Sequence, residues 1–206
     1  GVEIGTTCVA GLGDLVEGTC GYYPAQEFRV ELDRREQIRV VRRNVRDILK
    51  AASGSTERVI ATAVPGNHGE NRKNGKAYTR PSDNDDVAVF EQVAEILAEN
   101  ANYDNVGFRL PGDGIAISLE LSGQIVSFTH GHVPKMRGTP ANTLWEWWKD
   151  QAHGRHYQHL ADSTILVSGH FHHLNVKQQE GRTLFICPSL TNVGDYFGDA
   201  KGVDTV

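Results

Sequence analysis

The chain reads as an α/β protein in which a mixed sheet, or a sandwich of two sheets, has helices packed outside it. Three observations lead there. Apolar runs of strand length alternate with amphipathic helical stretches through roughly the first hundred residues. Beyond Val106 the strand-like runs follow one another across short turns, as hairpins do. The 206 residues are 39% hydrophobic, enough for a sizeable core in one domain.

Taken in order, Gly5-Thr6-Thr7-Cys8-Val9-Ala10 is β-branched and apolar and predicts a first strand. It enters a glycine-rich loop, Gly11-Leu12-Gly13-Asp14-Leu15-Val16-Glu17-Gly18, that carries a carboxylate just past the strand end. From Gln26 to Ala52 the pattern is helical, with Ile38, Val41, Val45, Ile48 and Leu49 at helical spacing. Residues 58–64 form a second apolar strand, stopped by Pro65 and Gly66. The segment from Asn71 to Pro81 is polar and rich in turns. A second helix is expected from Asp85 to Asn100, capped by Asp83 or Asn84, with Val89, Val93, Ile96 and Leu97 inward. Strands are expected at 106–110, 114–121 and 124–129, the last two joined tightly by Ser122-Gly123. A third helix covers 142–152 with Leu144, Trp145, Trp147 and Trp148. Strands at 164–167, 174–178 and 183–187 follow, the first of these ending in a histidine-rich turn.

Bulk properties narrow the function. A net charge of −5 argues against nucleic-acid binding by overall basicity, and leaves a local basic patch open. No apolar run reaches membrane-spanning length, and the start does not read as a signal peptide. Cys8, Cys20 and Cys187 are odd in number and lack CxxC spacing, so a reduced, cytoplasmic chain with ordinary thiols is expected.

Four loops, each after an expected strand, carry metal-type ligands: Gly13-Asp14, Gly66-Asn67-His68, Thr129-His130-Gly131-His132, and Gly169-His170-Phe171-His172-His173. Carboxylate, amide oxygen and imidazole together suit a borderline divalent ion such as manganese, iron, zinc or nickel. His170 and His172 are two apart, so on an extended segment they face the same side.

In this order the blocks resemble the calcineurin-like metallophosphoesterase superfamily. That pattern runs Asp-x-His, Gly-Asp, Gly-Asn-His followed by an acid, a lone His, then Gly-His-x-His. The last four blocks occur here between residues 13 and 172. The wording around Gly66-Asn67-His68-Gly69-Glu70 is most similar to actinobacterial and phage members. The resemblance implies a four-layer sandwich, two mixed sheets flanked by helices. It implies two divalent metals, manganese foremost, with Asp14 bridging them. Asn67, His130 and His170 would complete one site, and His172 would belong to the other. His68 would be the non-ligand that contacts the phosphate and protonates the leaving oxygen, a role suited to an imidazole near neutral pH. The substrate is expected to be a phosphodiester, with nucleic acid among the candidates. A phosphomonoester or nucleotide is the alternative, as is a catalytically silent metal-binding or scaffold module.

Two departures qualify the pattern. No Asp-x-His occurs, and the expectation is that the first strand carrying it lies upstream of these residues. Gly69 stands where the family usually has an acid, with Glu70 next to it.

Other features have two readings. Arg72, His132 and His173 are substrate-contact candidates. For Arg72, with Lys73 and Lys76, a solvated loop competes; for His132 and His173, support behind a ligand does. Arg35, Arg39, Arg42 and Arg46 make a basic stripe that could track a nucleic-acid backbone. Asp33, Glu36 and Asp47 interleave with it, which favours a solvated face. Trp145, Trp147 and Trp148 are expected to be core rather than a base-stacking platform. His153, His156 and His159 are read as surface residues.

Overall fold

The computed structural model describes residues 4–19, 26, 30–154 and 158–190. His156, Cys20 and part of the sequence-expected start of the first helix lie outside these residues. The chain divides into two compact units, Gly1–Ile117 and Ser118–Val206.

Unit one is built on a parallel three-stranded sheet of order β1 (Thr6–Gly11), β2 (Arg58–Ala63) and β5 (Val106–Phe108). Helix α1 (Arg34–Ser53) connects β1 to β2, and α2 (Asp85–Ala98) precedes β5. Both helices contact β2, the central strand, whose residues from Val59 on are buried. The core consists of Val45 and Leu49 of α1, Val59, Ala61 and Ala63 of β2, and Val89, Phe90, Val93 and Leu97 of α2.

The helices differ from expectation at their ends and edges. Helix α1 begins at Arg34 because Asp33 and Glu36 form a capping box. The Asp33 carboxylate accepts from the Glu36 amide at 2.8 Å, and the Glu36 carboxylate accepts from the Asp33 amide at 3.2 Å. Ile48 and Ile96, expected inward, are exposed, while Gln37 and Phe90 are buried. Gln37 is tolerated there because its amide is satisfied. It donates to the Leu32 carbonyl and accepts from the Gly18 amide. The turn-rich segment after residue 70 contains a hairpin that the sequence reading omitted, β3 (Arg72–Lys73) and β4 (Lys76–Ala77). Asn74 and Gly75 both have positive φ at its tip, as a two-residue hairpin of the favoured hand requires.

Unit two holds most of a five-stranded mixed sheet of order β6 (Ala116–Leu121), β7 (Gln124–Thr129), β8 (Ile165–Ser168), β10 (Arg182–Ile186) and β9 (Asn175–Gln179). Strands β7, β8 and β10 run parallel, and β9 pairs antiparallel with β10. Helix α3 (Pro140–Gly154) and the single turn α4 (Gln158–Ala161) lie between β7 and β8 in the chain. Trp145 and Trp148 are buried edge to face, and the Trp148 indole donates to the Leu160 carbonyl at 2.8 Å. Their aliphatic and cationic neighbours are Lys177 over Trp145 and Arg182 over Trp148. The tryptophans are therefore core, with Trp147 only partly buried. The α/β class with mixed pairing and flanking helices holds, and the first sheet is wholly parallel among the described residues.

Candidate functional site

In unit one, the loops after β1 and β2 leave the same end of adjacent parallel strands. Gly11 pairs with Ala63, and the Val64 amide donates to the Gly11 carbonyl. Strand carboxyl ends are where open α/β sheets place their ligands. Asp14 sits on the first loop in a left-handed conformation, φ +53, and Asn67 and His68 sit on the second.

One residue that the sequence reading passed over ties these loops together. Asp86, in the first turn of α2, is completely buried. Its carboxylate accepts from the amides of Asp14 (3.0 Å), Leu15 (2.8 Å) and Gly66 (2.9 Å). Burial and then the neighbouring Asp14 charge push its pKa up to about 6, against the pull of the three amides. The sequence signal for it was slight: consecutive acids at a helix start look like ordinary complements to the helix dipole. Asn84 adds a second tie. It caps α2 by accepting from the Asp86 amide, and it donates to the Gly66 carbonyl at 2.8 Å.

The same packing explains Gly69. A side chain there would begin 2.6 Å from the Asn84 Oδ1 and 2.8 Å from the Asp86 Oδ2. Asn84 and Asp86 occupy the volume that an acid at position 69 would need. Glu70 turns to Arg72 instead, at 3.0 Å. The Arg72 guanidinium also donates to the Gly75 carbonyl at 2.9 Å, so it closes the β3–β4 hairpin beside the Asn67-His68 loop.

Asp14 and His68 are in direct contact. The His68 amide donates to the Asp14 Oδ1 at 2.8 Å, and the His68 Nε2 lies 4.0 Å from the Asp14 Oδ2. On the other side of the ring, Nδ1 lies 2.8 Å from the Glu17 carbonyl and 3.5 Å from the Glu17 carboxylate. A carbonyl oxygen only accepts, so Nδ1 carries the hydrogen and Nε2 is the nitrogen left to exchange a proton. Glu17 was not singled out from sequence, because a backbone carbonyl contact leaves no residue-type signal. Asn67 is buried at the base of the same loop.

In unit two, His130, His132 and His170 converge. The His130 Nε2 and His170 Nδ1 are 3.2 Å apart, and the His132 ring lies 5.3 Å from that of His130 and 6.3 Å from that of His170. Imidazole nitrogens bound to one metal at about 2.0–2.1 Å with angles near 90–110° stand roughly 3.0–3.4 Å apart. The pair therefore fits a shared divalent ion, and one N–H···N hydrogen bond serves the same approach without an ion. His130 is buried, and its carbonyl accepts from the Ser168 hydroxyl and the Gly169 amide.

The turn after β8 corrects one expectation. His170 and His172 do not share a face of an extended segment; both have left-handed backbones, φ +68 and +60. The Phe171 amide donates to the Gly169 carbonyl at 2.8 Å, which makes a three-residue turn centred on His170. That hand of turn is rare, and non-glycine residues held there cost on the order of 1–3 kcal/mol. The His173 Nδ1 lies 2.6 Å from the Phe171 carbonyl, so His173 braces the turn. His172 is partly buried within it.

No known family profile and no curated protein matches the chain. Among solved structures, it is similar to a Streptococcus pneumoniae protein described as a predicted phosphoesterase. Identity is 12%, over 75% of this chain and 70% of that one, with a TM-score of 0.38. It is also similar to Vps29 of Entamoeba histolytica complexed with zinc, at 16% identity over 73% and 66% of the two chains, TM-score 0.38. A novel archaeal phosphodiesterase matches at 12% identity over 97% and 88%, again with a TM-score of 0.38. At such identities and overlaps the likenesses say nothing of what this chain binds or hydrolyses. The resemblance to the calcineurin-like metallophosphoesterases rests on the ordered motifs of the sequence alone.

Proposed function

We propose that the protein is a metal-dependent phosphoesterase, acting on a phosphodiester. The observation that supports this most is the clamp in unit one: Asp86 draws in the amides of Asp14 and Gly66, and His68 contacts Asp14 directly. A carboxylate ligand candidate and a proton-carrying imidazole are thereby held side by side at the sheet end. Asp14, Asn67, His130 and His170 form the proposed ligand set of one divalent ion, and Asp14 and His172 contribute to a second. Manganese is the foremost choice for the mixed oxygen and nitrogen donors, with iron, zinc or nickel as alternatives.

Bound ions of this kind supply Lewis-acid polarisation of a phosphoryl group and a water of lowered pKa. The chain's own residues do the rest. His68 is the general acid: Nδ1–H is anchored on the Glu17 carbonyl, and a proton on Nε2 passes to the departing oxygen. Asn67 offers a neutral oxygen, which binds a cation without adding charge at the phosphate. Arg72, His132 and His173 are proposed to stand at the substrate's periphery, Arg72 through its hairpin.

The second reading is a metal-binding scaffold without turnover, built on the same candidate ligands Asp14, Asn67, His130 and His170. One experiment separates the two. The protein with manganese is assayed on bis-(p-nitrophenyl) phosphate and on p-nitrophenyl phosphate, with metal content measured in parallel. Hydrolysis of the diester, lost in Asp14→Asn and in His170→Ala, supports the proposal. His68→Ala is expected to lower turnover by about 10²–10⁴ with metal retained. Metal binding with no hydrolysis of either ester leaves the scaffold reading, and unchanged turnover in both ligand variants overturns the site.

A further inference from the structure

A groove of about 510 Å³ in unit one is lined by Arg34, Arg35, Ile38, Arg39 and Arg42 of α1 and by Gln92 of α2. None of these lining residues is acidic. Read from sequence, Asp33, Glu36 and Asp47 interleaved with the arginines of α1 favour a solvated helix face. In the structure they neutralise the groove arginines only in part. Asp33 caps the helix and Glu36 reaches back to the cap, coming only to 3.7 Å of Arg39. Asp47 pairs with Arg46, off the groove. Arg34 is neutralised by Asp85, whereas among the described residues Arg42 meets the uncharged Gln92 amide oxygen, at 3.2 Å, and no carboxylate. Arg35 is exposed and has no carboxylate partner among the described residues.

Arg35, Arg39 and Arg42 stand at i, i+4 and i+7, a row about 10 Å long at 1.5 Å per residue. One strand presents a phosphate about every 3.4 Å of axis when stacked as in a duplex, and at roughly twice that spacing when extended, so the row spans about two to four phosphates. Guanidinium forks match phosphate oxygens bidentately, and Ile38 between them supplies apolar contact for a sugar or base edge. A phosphodiester strand carries its charge at every repeat and meets such a row in any register. An acidic peptide would have to match its carboxylates to the row. We propose that this groove binds a single nucleic-acid strand through its backbone. Strand binding here is independent of hydrolysis, since it draws on none of the residues assigned to the metal or to proton transfer.

The test is fluorescence anisotropy of the full chain with a labelled oligothymidine, in chelator so that no hydrolysis occurs, at several salt concentrations. For Arg35→Gln/Arg39→Gln the expected result is at least about tenfold weaker binding. The slope of log K against log salt should be shallower by about 1.4, two contacts at about 0.7 each on a single strand. Arg35→Gln alone, at an exposed position that leaves packing untouched, is expected to give about half that change. Arg58→Gln, outside the groove, should leave both quantities as they were. Binding that is absent, that falls equally in Arg58→Gln, or that keeps its slope in the groove variants overturns the proposal. So does polyglutamate binding as tightly with the same arginine dependence, which would make the groove a site for acidic protein.

Discussion

Asp86 shows how much one side chain can organise. Three amides from two loops end on its two oxygens, and the side chain is fully buried. Asparagine has nearly the same shape but only one accepting oxygen, and its NH2 would face donors. Asp86→Asn is therefore expected to cost about 2–4 kcal/mol of stability, the penalty for leaving buried donors unpaired beside a charged acceptor. Urea unfolding of the metal-free protein measures it. A loss under about 1 kcal/mol would mean that the two loops hold their shape without this carboxylate. His68 belongs to the same scale: its orientation depends on the Glu17 carbonyl, a contact that no substitution of the Glu17 side chain removes directly.

At the scale of elements, α1 illustrates why helix boundaries are set by capping rather than periodicity. Apolar spacing alone carries the pattern back to Gln26, yet the helix starts after Asp33 because the Asp33–Glu36 pair satisfies the first orphan amides. Asp33→Ala is expected to destabilise the protein by about 1 kcal/mol, within the range of other capping losses, read as a lower midpoint of thermal unfolding. No shift at all would mean that tertiary packing alone sets the start of the helix. The β3–β4 hairpin is the reverse case. Asn74-Gly75 is a strong turn signal, but the two-residue strands beside it are charged and lack alternation, so nothing marked them as paired.

For the whole molecule, the ligand candidates are distributed over the chain from Asp14 to His172, and the two compact units hold different ones. Binding to a native ligand set stabilises the fold by mass action, about 2.7 kcal/mol at a hundredfold excess over the dissociation constant. Manganese is therefore expected to raise the thermal midpoint of the wild type by several degrees. Asp14→Asn and His170→Ala should each abolish the rise, although they alter residues of different units. A rise that survives either substitution would place the ion elsewhere.

Sequence alone determined the secondary-structure alternation, the strand-end positions of Asp14, Asn67, His130 and His170, and the burial of Trp145 and Trp148. These follow from local periodicity and from glycine and proline punctuation, which act within a few residues. It overextended α1, turned Ile48 and Ile96 inward, and put His170 and His172 on one extended face. Tertiary structure decided the rest, because the partners are remote in the chain. Asp86 lies 72 residues from the Asp14 amide it holds, Gly69 is glycine because Asn84 and Asp86 fill its space, and on α1 Arg34 is paired by Asp85 of α2 while Arg42 meets the uncharged Gln92. A side chain's role is set by which groups reach it first, and that is a property of the folded chain.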